Sequence, residues 1–197
     1  MNNISFTVSF VINLIIFSVT TVLVIGLFRR DGNWCLERAK NAFRFFTVQS
    51  NVLCAISALA MMIFPAANWA YFLKVIGTAA VSVTMITVLL FLGPTYGYQY
   101  MFKGSDLFMH LLTPIMALVS LCAFERSGIS LAESFIGVIP VALYGPLYCY
   151  KTIFAPEGKR WDDFYGFNKD GKWILSYVLM HLGSAVICVV LYMLLNI

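Results

Sequence analysis

The chain has 197 residues, 61% of them hydrophobic and only 11% charged, with a mean hydropathy of +0.86 and a formal net charge of +4. That composition lies outside the range of soluble globular domains. The positive charge reads as a membrane-topology signal and gives no reason to expect a nucleic-acid partner.

A helix needs about 20 apolar residues to cross the roughly 30 Å hydrocarbon layer. Six stretches qualify, at about 4–28, 42–64, 71–93, 107–124, 131–154 and 173–196. Strand-like alternation at the ten-residue spacing of a barrel is absent, so the backbone must satisfy itself as helices. The expected fold is all-α, an integral membrane bundle of six transmembrane helices forming one domain over residues 1–197.

Arg29 and Arg30 follow the first span, which lacks a small-residue cleavage site and so reads as a retained helix. Asp31-Gly32-Asn33 marks a turn, and the segment 36–41 reads equally as a short basic interfacial helix or a solvated connector. A short uncharged loop near 65–69 makes the second and third spans an antiparallel hairpin. Gly93-Pro94 breaks the third span, and Tyr96, Tyr98 and Tyr100 suit an interfacial aromatic belt. Pro140 and Tyr144-Gly145-Pro146 should kink the fifth. The loop 151–172 holds Asp162, Asp163 and Asp170 without the ordered spacing of a metal site, and reads as a solvated lid anchored by Trp161, Phe164 and Tyr165. No metal and no cofactor is called for. Eleven of the thirteen Lys and Arg residues fall on one side of this threading, leaving Lys74 and Arg126 on the other. That bias places the basic loops in the cytoplasm and both termini outside, in a cell inner (plasma) membrane. The five cysteines include no C-x-x-C pair and read as reduced and structural. The sequence sets no subunit number.

The stretch FRFFTVQSN at 43–51 opens a membrane span with polar residues. On a helix, Arg44, Thr47, Ser50, Asn51 and Cys54 form one stripe, which is either interhelical glue or the wall of a polar cavity, while Gln49 points elsewhere. The two histidines, His110 and His181, both lie inside spans, where ionisable groups are costly. At about 1.5 Å per residue, Thr47 and His110 sit roughly 6 Å inside the same membrane face and can meet. Asp106, one turn before His110, either orients its ring or simply caps a helix start. Pro114 lacks the N–H that the carbonyl of residue 110 needs, so the helix is interrupted at the histidine. A hydroxyl, an imidazole and a carboxylate make a generalised triad, with Asn51, Ser50 or Gln49 open as the oxyanion donor.

FRFFTVQSNVL together with DLFMHLLTPIM resembles the androgen-induced membrane protein family, multi-pass hydrolases of fatty acid esters of hydroxy fatty acids, and its short bacterial relatives most of all. The resemblance spans about 42–181 and is strongest at F-F-T-x-Q-S-N and H-x-x-x-P. It implies that Thr47 and His110 are the catalytic pair, and Tyr144, Pro146 and Tyr148 look similar to a Tyr/Pro-rich segment of the bacterial relatives. The expectation is an intramembrane threonine hydrolase of lipid esters: Thr47 attacks, His110 is general base and then acid, Asp106 orients it, and Tyr144 and His181 join the candidate binding set. The alternatives are a small transporter or lipid-binding protein without catalysis, and a haem protein ligated by His110 and His181.

Overall fold

A bilayer offers backbone N–H and C=O groups no partners, so a chain that crosses it closes those bonds within helices. The computed structural model describes residues 3–197. Six of its helices are long and apolar enough to span: α1 (Asn3–Leu27), α3 (Phe46–Ile63), α4 (Asn68–Tyr96), α5 (Ser105–Phe124), α6 (Leu131–Phe154) and α7 (Trp173–Asn196). The protein is an all-α, multi-pass membrane bundle. Among the described residues the sheet is confined to a hairpin of β1 (Arg29–Arg30) and β2 (Asn33–Trp34) after α1. Its central residues Asp31 and Gly32 both have positive φ, 51° and 83°, as a twist-matched two-residue turn requires.

Residues 36–42 do form a helix, α2 (Leu36–Ala42). The second span then starts at Phe46 instead of at 42, which leaves Arg44 off the helix whose stripe it was expected to head. Side chains intercept the carbonyls that a continuous helix would use: Gln49 Nε2 donates to the Phe43 carbonyl at 2.8 Å, and the Tyr144 hydroxyl to that of Arg44 at 2.8 Å. Phe45 is accordingly extended.

Helix α4 is the hub. It packs on α3, α5, α6 and α7 and is 61% buried, against 22% for α1 and for α7. Small residues allow this closeness. A Cβ on Gly77 would come 2.5 Å from Ser57 Oγ of α3, and one on Gly137 of α6 would come 2.7 Å from Ala79 Cβ of α4.

Four stretches are π-helical: Val88–Leu92, Phe108–Leu112, Ser120–Phe124 and Tyr150–Phe154. The first two end two residues before Pro94 and Pro114. A proline leaves the carbonyl four residues back without its α-helical donor, and the ladder relaxes to i→i+5. The interruption expected at His110 is thus a π-turn, closed by Thr113 N–H on the Phe108 carbonyl.

The buried residues of α1 are Ser9, Asn13, Ile16 and Thr20, so polar groups hold this helix in place. Asn13 is the link. Its amide oxygen accepts from Lys74 Nζ at 2.5 Å, and its Nδ2 donates to Glu125 Oε1 at 2.5 Å. Ser9 Oγ and Ser120 Oγ donate to the same carboxylate oxygen, each at 2.7 Å. Lys74, 0% exposed, is therefore a buried charge of the core and not a solvated one near a membrane surface.

Candidate active site

Thr47 stands in the first turn of α3, where backbone N–H groups have no intrahelical acceptor. A side chain from the loop after α6 fills that gap: the Phe46 N–H donates to the Tyr165 hydroxyl at 3.1 Å. Tyr165 shares a cavity wall with Thr47 and Tyr144. Asp163 folds the loop that delivers it. Its carboxylate accepts from the Tyr148 hydroxyl at 3.1 Å, the Phe167 N–H at 2.8 Å and the Asn168 N–H at 2.7 Å, and the Tyr148 oxygen accepts the Tyr165 N–H at 3.3 Å. Phe45 packs edge-on against Phe164, which stacks on Tyr96. The loop is mostly solvent-exposed, as expected, while its anchors Trp161, Phe164 and Tyr165 are half-buried and make this part of it a folded plug.

Beneath it lies a cavity of about 290 Å³ among α3, α4, α6, α7 and the plug. Its lining includes the hydroxyl residues Thr47, Tyr144, Tyr148 and Tyr165, with Thr84 and Thr87 of α4 and Ser176 and Ser184 of α7, among apolar residues such as Val83, Val88, Phe91, Leu179 and Ile187. No Lys, Arg, Asp, Glu or His lines it, so it suits an uncharged, largely apolar guest with a hydrogen-bond acceptor. Burial pushes the Tyr165 hydroxyl above its ordinary pKa, while its contact with the Phe46 N–H works in the opposite sense. Tyr165 is therefore a protonated donor at neutral pH.

His110 sits in the π-turn of α5, 8% exposed. Its Nδ1 is 2.7 Å from the Met101 carbonyl, which can only accept, so Nδ1 carries the proton, and in the neutral ring the lone pair is on Nε2. This corrects the role expected for Asp106: a backbone carbonyl from the α4–α5 connection orients the ring, and among the described residues no hydrogen bond joins Asp106 to it. Asn51 couples the two helices. Its Nδ2 donates to the Thr47 carbonyl at 2.8 Å and to the Met109 carbonyl at 3.0 Å, tying the turn of Thr47 to that of His110.

The expected oxyanion donors are spent. Both N–H groups of Asn51 go to carbonyls, and its buried Oδ1, without a partner, can only accept. Ser50 Oγ bonds the Thr47 carbonyl at 3.1 Å and Thr84 Oγ1 at 2.8 Å. Gln49, bonded to Phe43, borders a different cavity, of about 280 Å³, between α3 and α6. Tyr144 is in the cavity as expected, but its proton is held by the Arg44 carbonyl. His181 stays on its own helix, with Nδ1 2.8 Å from the Tyr177 carbonyl and its ring 4.3 Å from that of Tyr177, and it does not line the cavity.

Tyr165 is the residue that sequence reasoning passed over; it was read only as an aromatic anchor, and its hydroxyl reaches Thr47 only because Asp163 folds the loop. No protein-family model matches this chain, and no curated protein or solved structure matches it either.

Proposed function

We propose that the protein is an intramembrane hydrolase of fatty acid esters, working from the cytoplasmic side of a plasma membrane with both termini outside. The observation that carries this reading is the position of Thr47: a hydroxyl in the first turn of α3 on the wall of an uncharged, largely apolar cavity. The resemblance of FFTVQSN and H-x-x-x-P to fatty acid ester hydrolases names the same threonine and the histidine whose Nε2 is free to act as a base.

In this reaction the Thr47 oxygen bonds the ester carbonyl carbon while its proton passes to His110 Nε2. The tetrahedral intermediate expels the alcohol, which takes that proton. Water then enters by the same route, releasing the fatty acid and restoring Thr47. A carboxylate product finds no cation in the cavity wall, which favours its departure.

A lipid-binding or transport protein without catalysis is the second reading. It is favoured by one observation: among the described residues no hydrogen bond joins Thr47 to His110, and His110 does not line the cavity. Catalytic contacts often tighten only when substrate binds. Hydrolysis of p-nitrophenyl palmitate by the purified protein in lipid nanodiscs decides between the two. The hydrolase reading expects turnover that Thr47→Ala abolishes; activity equal to wild type in Thr47→Ala contradicts it.

A further inference from the structure

We infer that the Tyr165 hydroxyl is the oxyanion donor of this site, a catalytic residue delivered to Thr47 by the loop after α6. The inference rests on the hydrolase reading and deepens it.

Attack at an ester carbonyl moves the π electrons onto the carbonyl oxygen, and that charge needs a donor already in place. The site contains few. The amide of Asn51 is bound to two carbonyls, the Ser50 hydroxyl lies against the Thr47 carbonyl and Thr84, and the Tyr144 hydroxyl donates to Arg44. Tyr165 differs. Its oxygen accepts the Phe46 N–H, and that bond uses a lone pair and leaves the O–H proton free to point into the cavity beside Thr47. The Phe46 bond also holds the hydroxyl at the positive end of the α3 dipole and polarises its O–H toward a developing negative charge.

The chemistry needs no proton transfer from tyrosine. The Thr47 oxygen–carbon bond forms, the carbonyl oxygen becomes an oxyanion hydrogen-bonded by Tyr165, and the threonine proton goes to His110. On collapse the carbonyl re-forms and Tyr165 is released unchanged. In the substrate-free protein Tyr165 and Thr47 line the same cavity, so an ester carbonyl attacked by Thr47 lies within the reach of Tyr165.

The test compares wild type, Tyr165→Phe and Thr47→Ala in nanodiscs, with p-nitrophenyl palmitate as substrate and a long-chain trifluoromethyl ketone as a mimic of the oxyanion. If Tyr165 is the donor, Tyr165→Phe lowers kcat by about 10²–10³. Its KM stays within about twofold. The ketone binds more weakly by a comparable factor, whereas a palmityl ether, which forms no oxyanion, binds as to wild type. A Tyr165→Phe protein with wild-type kcat, in a preparation where Thr47→Ala is dead, overturns the inference and leaves the hydrolase reading standing. An active Thr47→Ala overturns both. Should the phenylalanine variant fail to fold, difluorotyrosine at position 165 keeps the hydroxyl and makes it more acidic. The alkaline loss of kcat then moves to lower pH, and an alkaline limb identical to wild type overturns the inference.

Discussion

Helix α5 carries a π-helical turn near each end, Phe108–Leu112 and Ser120–Phe124, and the two turns present their polar groups to different surroundings. At the first, His110 has one nitrogen fixed by a carbonyl and the other uncommitted, close to a turn of α3 whose hydroxyl lines an open cavity. At the second, Glu125 collects three donors on one oxygen and, through Asn13, the ammonium of Lys74. Both groups of side chains are costly in a membrane. The network around Glu125 spends its polar atoms on α1, α4 and α5, which is assembly. The one around Thr47 and His110 leaves a hydroxyl on a cavity wall and a ring nitrogen uncommitted, which is what the proposed hydrolysis requires.

That contrast predicts which substitutions should disturb activity and which should disturb stability. The largest effect belongs to the reactive end: His110→Ala should lower kcat by about 10²–10⁴, with the unfolding transition close to wild type. A parallel collapse of stability in a denaturant titration would erase the distinction between the two ends. Lys74→Met should do the reverse. It leaves the buried Asn13 amide oxygen without its donor and takes the lysine out of the network that ends on Glu125, at a cost of about 1–3 kcal/mol. The double variant Lys74→Met/Glu125→Gln should lose less than the sum of the two single variants, as a double-mutant cycle would show.

Asn51→Ala should fall between the two. It leaves the Met109 carbonyl without its Asn51 donor, at about 1–3 kcal/mol of stability, and it also removes the tie between the turns of Thr47 and His110, so kcat should drop as well. The smallest effect should be that of Asp106→Asn. With Nδ1 of His110 held by Met101, kcat and stability should each stay within about 0.5 kcal/mol of wild type. A large drop in kcat there would return the orienting role to the carboxylate.

Much of the reactive end was legible in the sequence. Pro114 marked the interruption at His110, and of the stripe Arg44, Thr47, Ser50, Asn51 and Cys54 the last three prove buried, while Thr47 is half-buried and Arg44 exposed. Span number and helical class followed from hydropathy alone. The Lys74–Asn13–Glu125 chain was not read, because its members lie far apart in the sequence, on α1, on α4 and just after α5. Its one trace is the polar Ser9, Asn13 and Thr20 at helical spacing in an otherwise apolar span. Tyr165 left no trace, since a loop's path depends on contacts such as those of Asp163 that carry no periodicity.

The central claim is that Thr47 is an activated hydroxyl, and the most direct measurement is labelling of the purified protein with a fluorophosphonate probe, the adduct located by mass spectrometry. The account predicts a single phosphonylated residue, Thr47, with labelling lost in His110→Ala and retained in Asp106→Asn. A folded wild-type protein that takes no label, or one labelled at another residue, would contradict it.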